Sequence, residues 1–318
     1  MECRTINQGL QRPTLTRRGV LSGSAAAVAL AATAAVGSRP SAKWIPARSL
    51  EARLPRLMEI AGVPGLGIAV TTNGRMVWRR SFGVKNVRTS DPITDDTLFE
   101  AASMTKPAFA YVVMKLVDER RISLDRPLVS YLRPPYLADD PALNRITVRD
   151  VLRHSTGLPN WADGSLRTLS PPGKSYTYSG EGIVWLQLLV EKLTGEGTGA
   201  LMHRMLLAPA GMSSSTMGWD AEIAKRAAYG HGIDGDGRPT LAKQPTRELG
   251  NALLPVALRW RKPIADWTYA DQVRAMREAV PQTKPVPHEL LVNAAGGLMT
   301  TPADYLKLML LMMDRRAR

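Results

Sequence analysis

The spacing of apolar and polar residues along the chain predicts short strands followed by longer helices. Residues 49–61 carry apolar side chains at helical spacing, with a proline interrupting an early turn. Two β-rich runs follow at 65–72 and 75–82, and Asn73-Gly74 between them is a strong signal for a hairpin turn. Further helical patterns lie at 103–119, 147–153, 181–194, 198–207, 266–279 and 301–313. The chain therefore opens helix, strand, strand and continues mainly as helices.

A glycine-rich stretch at 229–246 contains Asp234 and Asp236, whose spacing is compatible with the start of a calcium-binding loop. The later acidic ligands of such a loop are missing from the sequence, so a hairpin turn is predicted instead. The four histidines are isolated and lack the spacing of metal ligands. We therefore expect neither a metal ion nor a cofactor.

The composition indicates a globular protein with a basic surface. The chain has 318 residues, 44% of them hydrophobic, which is enough for a large core in one or two domains. Its formal net charge is +14, but the lysines and arginines are scattered, with no run longer than pairs such as Arg79-Arg80. Because nucleic-acid-binding proteins cluster their basic residues, we do not expect a nucleic-acid partner.

Residues 1–42 are predicted to be an export signal of the twin-arginine type. Arg17-Arg18 precede an uncharged stretch that is rich in alanine and poor in leucine. A transmembrane anchor is the alternative, but such small residues supply little transfer energy, so no stable membrane span is expected after cleavage. The only cysteine, Cys3, lies within the part removed, so the mature chain is expected to form no disulfide. A periplasmic or secreted location follows.

The candidate chemistry begins with Ser103-x-x-Lys106 at the start of an apolar helix. A serine in the first turn lies near unpaired backbone N–H groups and the positive end of the helix dipole, and the residue three positions on returns to the same face. These features favour a nucleophilic serine. A serine nucleophile needs a base, and the best candidate is Tyr178, whose phenolate Lys106 can stabilise. An ordinary surface serine one turn before an ordinary lysine is the alternative.

Five motifs, in their order and spacing, resemble the serine hydrolases related to class C β-lactamases, which include esterases and D-alanyl-D-alanine carboxypeptidases. The motifs are SMTK at 103–106, VLRHSTGLPNW at 151–161, PPGKSYTYSGEG at 171–182, LLAPAGMSSSTMGW at 206–219 and VNAAGGLMTTPADYLKLM at 292–309. The resemblance covers about 49–309. It implies that 43–318 forms one α/β domain of the α+β kind, an antiparallel sheet flanked by helices beside a mainly helical part. Residues 43–100 and about 290–318 would form the sheet side, and about 101–289 the helical part.

The resemblance also assigns roles to the matching positions. Ser103 corresponds to the nucleophile that forms an acyl-enzyme, Lys106 to the lysine of the same motif, and Tyr178 to the general base or proton shuttle. The family's tyrosine motif is usually Tyr-x-Asn, and Gly180 stands here at the asparagine position, so the substrate-binding amide is expected to be absent. Glu181 is either a partial substitute for that amide or an ordinary carboxylate in the first turn of a helix.

The sequence departs from the resemblance beyond the AAGGLMTTPADY element. The family carries a third motif there, Lys-Thr-Gly or His-x-Gly, and the sequence shows neither before Arg318. We therefore expect a truncated or partial member of the family, without its C-terminal strands and with weak or no turnover, because losing one oxyanion-hole donor typically costs a factor of about 10² to 10³ in rate. His154, in RHSTGLP, corresponds to a structural turn of the family.

Three hypotheses for the function remain open. The first is an exported serine hydrolase that cleaves an amide or ester bond in a small molecule or cell-wall peptide through Ser103. The second is a non-turnover relative that binds, or is stably acylated by, cell-wall peptide or β-lactam. The third is an inert product of a broken reading frame. Gly180 favours an esterase-like enzyme over an efficient β-lactamase, and the absence of Gly-x-Ser-x-Gly argues against an α/β-hydrolase.

Overall fold

The hairpin predicted at Asn73-Gly74 forms the first sheet of the molecule. Strand β1 (Gly65–Thr72) pairs antiparallel with β2 (Arg75–Asn86), and both turn residues have positive φ, 52° and 74°. The computed structural model describes residues 48–283 and 286–314, apart from the side chain of His288. The predicted export signal, residues 1–42, lies outside the described residues.

Short strands complete three antiparallel sheets among the described residues. They are β3 (Asp91–Pro92), β4 (Phe99–Glu100), β5 (His231–Ile233), β6 (Pro239–Leu241) and β7 (Met299–Thr300). The first sheet has the order β1-β2-β3, while β4 pairs with β7 and β5 with β6. The pairing of β5 and β6 is the hairpin that the glycine-rich stretch predicted.

Helices make up most of the chain after β4. The helices are α1 (Arg48–Ile60), α2 (Thr105–Asp118), α3 (Val148–Leu152), α4 (Gly180–Thr194), α5 (Thr198–Met202), α6 (Ala221–Arg226), α7 (Pro245–Trp260), α8 (Tyr269–Ala279) and α9 (Pro302–Met313). Side chains of Thr147, Ser179, Thr268 and Thr301 cap the N-termini of α3, α4, α8 and α9. The predicted α+β fold is confirmed.

The main hydrophobic core lies between the helices. Phe109 on α2, Trp185 on α4 and Trp267 before α8 are fully buried in it. The β1–β2 hairpin lies beside this core, and α9 packs on β1. Helix α2 therefore has one face in the core and its N-terminus at the boundary with the sheets, which positions the residues at its start.

Several helices differ from their predicted bounds. Pro55 lies inside an unbroken α1, so the predicted interruption is wrong. Residues 102–104 form a 3₁₀ turn before α2, and α5 continues as a π-helical turn over His203–Leu207. Helix α7 was not predicted, because Gly250 and Pro255 inside it are typical of helix breaks, although Leu249, Leu253 and Val256 have helical spacing. No helix among the described residues is both long and apolar enough to cross a membrane.

Candidate active site

Ser103 lies in a strained turn between a short strand and a helix. The backbone N–H of Ala101, after β4, donates to the carbonyl of Leu298 at 2.8 Å. The next residue, Ala102, has φ 45°, a left-handed conformation that costs energy for a residue with a β-carbon. The following 3₁₀ turn presents Ser103 with an exposed side chain directly before α2. A strained turn of this kind occurs most often at functional sites.

Lys106 projects its ammonium group toward Ser103 from the first turn of α2. Its side chain is buried, with 7% of the residue exposed. Nζ donates to Ser103 Oγ at 3.2 Å and to the backbone carbonyl of Ala295 at 2.7 Å. A buried charge needs such partners, and these two fix the ammonium group beside the serine hydroxyl.

Tyr178 approaches the same serine from the segment before α4. Its hydroxyl donates to Ser103 Oγ at 2.7 Å, and Lys106 Nζ lies 4.9 Å from the centre of its ring. Burial disfavours the phenolate, but hydrogen bonding to Lys106 and Ser103 and the positive charge of Lys106 outweigh burial and lower the pKa of Tyr178 below its usual value. The three side chains thus meet at one point, although Tyr178 lies 75 positions after Ser103 in the sequence.

Gly180 and Glu181, the two residues predicted to contact substrate, face other parts of the protein. A β-carbon on Gly180 would overlap the indole ring of Trp161, so a side chain at this position would require the indole to shift. The Glu181 side chain is buried and accepts a hydrogen bond from the Ala162 N–H at 3.0 Å. Burial raises the pKa of Glu181, and the bond from Ala162 offsets part of that rise. Asn160 and Trp161 line the cavity described next.

A cavity of about 740 Å³ opens beside Ser103, within the usual size range of ligand sites. Its wall includes Ser103, Lys106, Asn160 and Trp161, apolar residues of α7, α8 and the 290–291 segment, and four residues of the following loop, Asn293, Ala295, Gly296 and Gly297. Three carboxylates also line it: Glu100, Glu248 and Glu289.

The geometry agrees with a family match over most of the chain. The family model described as Beta-lactamase matches residues 50–318. The chain belongs to the beta-lactamase family. The resemblance of the five sequence motifs to serine hydrolases related to class C β-lactamases is thereby confirmed.

Relatives of this chain are about a quarter identical to it over the residues that align. The unguisins hydrolase of Aspergillus campestris is 28% identical over 244 residues, covering 67% of this chain and 45% of that protein. Esterase EstB of Burkholderia gladioli is 29% identical over 211 residues, covering 54% of this chain and 53% of its own. The octameric penicillin-binding protein homologue from Pyrococcus abyssi has the same fold, with a TM-score of 0.61 at 23% identity over 84% of this chain and 56% of that chain. The chain spans about half the length of the curated relatives it matches.

In this beta-lactamase-family site, the Ala295 carbonyl accepts the hydrogen bond from Lys106. A buried network of side-chain amides holds the backbone next to Ala295. The Ala294 N–H donates to Gln187 Oε1 at 2.8 Å, and Gln187 Nε2 donates to the Val292 carbonyl at 3.1 Å. Gln272 bonds the backbone of Val292 through both its Nε2 and its Oε1. The sequence analysis missed these two glutamines. Gln187 was detectable as an uncharged polar residue in the apolar run IVWLQLLV of α4.

His154 packs against Tyr178 in the turn predicted for it. The ring centres lie 4.6 Å apart at an angle of 33°, and His154 Nδ1 accepts the Ser179 N–H at 3.2 Å. Burial and then the charge of Lys106 lower the pKa of His154, so the neutral imidazole is favoured. Its φ of 54° is again left-handed. Within the described part of the chain, no group of three or more His, Cys, Asp or Glu residues could hold a metal ion.

Proposed function

We propose that this chain is the catalytic part of an exported serine hydrolase that cleaves an amide or ester bond through an acyl-enzyme on Ser103. The observation that carries the proposal is the pair of hydrogen bonds to Ser103 Oγ, from Tyr178 Oη at 2.7 Å and from Lys106 Nζ at 3.2 Å. Together with the exposed position of Ser103 on a ligand-sized cavity, they place the nucleophile beside a fixed positive charge and beside a phenol that accepts the serine proton in its ionised form.

The reaction follows from the positions of these three groups. Ser103 Oγ attacks the carbonyl carbon while its proton passes to the phenolate of Tyr178. When the C–O or C–N bond breaks, Tyr178 returns that proton to the departing oxygen or nitrogen. Water then attacks the acyl carbon and gives a proton to Tyr178, which passes it to Ser103 Oγ as the acid leaves. The ammonium group of Lys106 stabilises the phenolate.

The charges around the cavity favour neutral substrates over anionic ones. Glu100, Glu248 and Glu289 form no ion pair with another described residue, whereas Lys106 is committed to Ser103 and Ala295. An anionic penicillin or peptide carboxylate would therefore meet net negative charge. The names of the two relatives, an esterase and an unguisins hydrolase, also support ester or amide hydrolysis.

Intact-mass spectrometry after exposure to a fluorophosphonate tests the proposal directly. Ser103 Oγ should displace fluoride and form a bond to phosphorus, adding the mass of one probe without fluoride. Ser103→Ala should abolish the adduct, while Ser165→Ala, which removes an exposed hydroxyl outside the cavity, should retain it. No adduct on a protein that circular dichroism shows to be folded would refute the proposal.

A second exposure, to a penicillin and to a neutral aryl ester, separates turnover from trapping. An ester adduct that decays within minutes as product accumulates supports a hydrolase. An adduct that persists supports instead the non-turnover relative that is stably acylated by cell-wall peptide or β-lactam.

Export is tested with the native N-terminus. We expect Arg17→Lys combined with Arg18→Lys to keep the protein inside a bacterial host that has the twin-arginine system. Equal amounts outside the cytoplasm for both forms would refute this part of the proposal.

A further inference from the structure

The segment 291–295 is buried in the helical region, although it forms neither a helix nor a strand. Val292, Ala294 and Ala295 are each at most 3% exposed. Because buried backbone N–H and carbonyl groups need hydrogen-bond partners, a segment without regular structure must find them on other parts of the chain. For Val292 and Ala294, side-chain amides from two helices supply these partners.

Gln272 on α8 and Gln187 on α4 hold the backbone of this segment. Gln272 Nε2 donates to the Val292 carbonyl at 3.0 Å, and its Oε1 accepts the Val292 N–H at 2.8 Å. Gln187 Nε2 donates to the same carbonyl at 3.1 Å, and its Oε1 accepts the Ala294 N–H at 2.8 Å. Both glutamines are almost completely buried, so the loss of a bond would leave a polar group without water to replace the partner.

The residue after this held backbone, Ala295, contacts the Lys106 ammonium group. The Ala295 N–H donates to Asn293 Oδ1 at 2.7 Å, and the Ala295 carbonyl accepts Lys106 Nζ at 2.7 Å. The bond from Lys106 Nζ to Ser103 Oγ is longer, at 3.2 Å. The position of the Ala295 carbonyl therefore determines where the positive charge lies relative to Ser103 and Tyr178.

Helix α4 connects this carbonyl to the tyrosine. Tyr178 directly precedes Ser179, the N-cap of α4, and Gln187 lies two turns further along the same helix. Through Gln187, the helix that positions the phenol also holds the backbone that anchors the ammonium group. Gln187 is itself fixed one turn further on, where its Nε2 donates to Glu191 Oε1 at 3.0 Å.

We propose that Gln187 and Gln272 are positioning residues, which act through the backbone of 292–295 to hold the Lys106 ammonium group beside the Tyr178 phenol. This inference rests on the proposed hydrolase function. Burial disfavours the phenolate, but hydrogen bonding to Lys106 and Ser103 and the charge of Lys106 outweigh it, so the pKa of Tyr178 should rise if the ammonium group moves away. The alternative is a purely structural role, in which the two amides only satisfy buried backbone groups.

The rate at which a fluorophosphonate labels Ser103, measured between pH 5 and about 10, separates the two roles. Labelling requires Tyr178 to accept the serine proton, so the rate should rise as the phenolate forms. The midpoint of this rise does not depend on the fraction of folded protein, which a purely structural role would change. Lys106 and His154 are the titratable groups that face Tyr178. Burial and then the charge of Lys106 lower the pKa of His154, so its titration should fall at lower pH.

Gln187→Met and Gln272→Met each keep a side chain of similar size and remove its hydrogen bonds. We expect each change to move the midpoint to higher pH by about one unit. Below the midpoint the labelling rate should then fall about tenfold, because one pKa unit changes the fraction of phenolate tenfold. The two glutamines lie on different helices, so if one variant does not fold, the other still tests the inference.

Gln244→Met is the matched control. Gln244 also holds a backbone through paired amide bonds, since its Nε2 donates to the Gly230 carbonyl at 2.8 Å and its Oε1 accepts the Gly230 N–H at 2.9 Å. It neither lines the cavity nor contacts the 291–295 segment. We therefore expect the midpoint of Gln244→Met to equal that of wild-type protein.

The same measurement distinguishes failure of this inference from failure of the proposed function. Wild-type midpoints in the folded variants of Gln187 and Gln272, or an equal shift in Gln244→Met, would reject only the positioning role. Failure of folded wild-type protein to label at any pH would reject the hydrolase proposal, and this inference with it.

Discussion

The two sides of this molecule differ in how their residues are buried. In the sheet region, residues 48–97, the buried apolar residues are Met58, Trp78 and Ile93, each 6–8% exposed, and every residue of β1 is partly exposed. In the helical region, residues 98–283 and 286–314, dozens of apolar side chains form one cluster, many with no exposed surface. None of the described residues of the sheet region belongs to that cluster.

The difference shows which region organises the candidate site. Ser103, Lys106, Tyr178 and Ala295 all belong to the helical region, and the network around Gln187 connects Ala295 to its core. Close packing limits side-chain movement, so the geometry of the candidate site depends mainly on the helical core. Changes of the same chemical kind should therefore have different effects in the two regions.

Lys106→Met should have the largest effect. We expect kcat/KM on a neutral ester to fall by a factor of about 10² to 10⁴. Because Lys106 lowers the pKa of Tyr178, the limb of the pH profile that reports the phenolate should also move to higher pH. The profile should be measured between pH 5 and about 10.

Arg80→Met is the control in the sheet region, where Arg80 forms an exposed ion pair with Glu51. This variant should keep kcat/KM within about twofold of the wild-type value, since exposed ion pairs contribute little to stability. An equal loss in both variants would contradict the division of the molecule proposed above. A large loss in Lys106→Met with an unmoved pH limb would contradict the role of Lys106 on Tyr178.

Phe109→Ala and Phe82→Ala compare the same deletion in the two regions. Phe109 is fully buried, so its removal should lower the free energy of unfolding by about 3–5 kcal/mol. Phe82 on β2 is partly exposed, and its removal should cost about 1–2 kcal/mol. Urea unfolding followed by tryptophan fluorescence measures both. Similar losses for the two variants would show that the sheet region contributes equally to stability.

Local sequence signals predicted many elements because their causes are local. The Asn73-Gly74 turn fixed the hairpin, and Gly195 ended α4 with φ 74°. The start of α9 followed from Thr301, whose side chain accepts the Asp304 N–H. Such features depend on neighbouring residues alone, so a single sequence contains them.

Contacts between distant residues could not be predicted in the same way. The carbonyl of Ala295 reaches Lys106 across 189 positions, and nothing in an alanine indicates that role. The indole of Trp161 fills the space at Gly180 only because the 158–162 segment folds back on α4. The sequence motifs brought Ser103, Lys106 and Tyr178 together, but the groups that hold them are revealed by packing.

Glu181→Gln should change how stability depends on pH. Burial raises the pKa of Glu181, so the folded state binds the proton more tightly than the unfolded state. The stabilisation from this proton is complete below the unfolded pKa and is lost as pH rises through the folded value. Gln stays neutral and can keep the bond from Ala162, so the variant should gain stability relative to wild-type protein from about pH 4 upward.

Thermal unfolding at a series of pH values measures this difference. Glu51→Gln in the sheet region is the matched control, because it removes an exposed ion pair and should change stability by less than about 1 kcal/mol. A pH-independent difference between Glu181→Gln and wild-type protein would contradict the assignment of a buried, proton-binding carboxyl group.

Glu248→Gln should have the smallest effect, and it concerns the charge of the cavity. Glu248 is exposed on the cavity wall, so its field is screened by solvent and salt. We expect acylation of Ser103 by a penicillin, which is anionic, to become about twofold faster at low ionic strength, and acylation by a neutral ester to stay unchanged.

Glu59→Gln on α1 supplies the comparison in the sheet region, since Glu59 is exposed, pairs with Arg56 and does not line the cavity. It removes the same unit of charge from the whole protein, so an equal acceleration would attribute the effect to net charge. Acceleration in Glu248→Gln alone, disappearing at about 1 M salt, would attribute it to the cavity wall, because the screening length there falls to about 3 Å. Faster reaction with the neutral ester as well would instead indicate a change in the shape of the site, and would contradict the electrostatic preference for uncharged substrates.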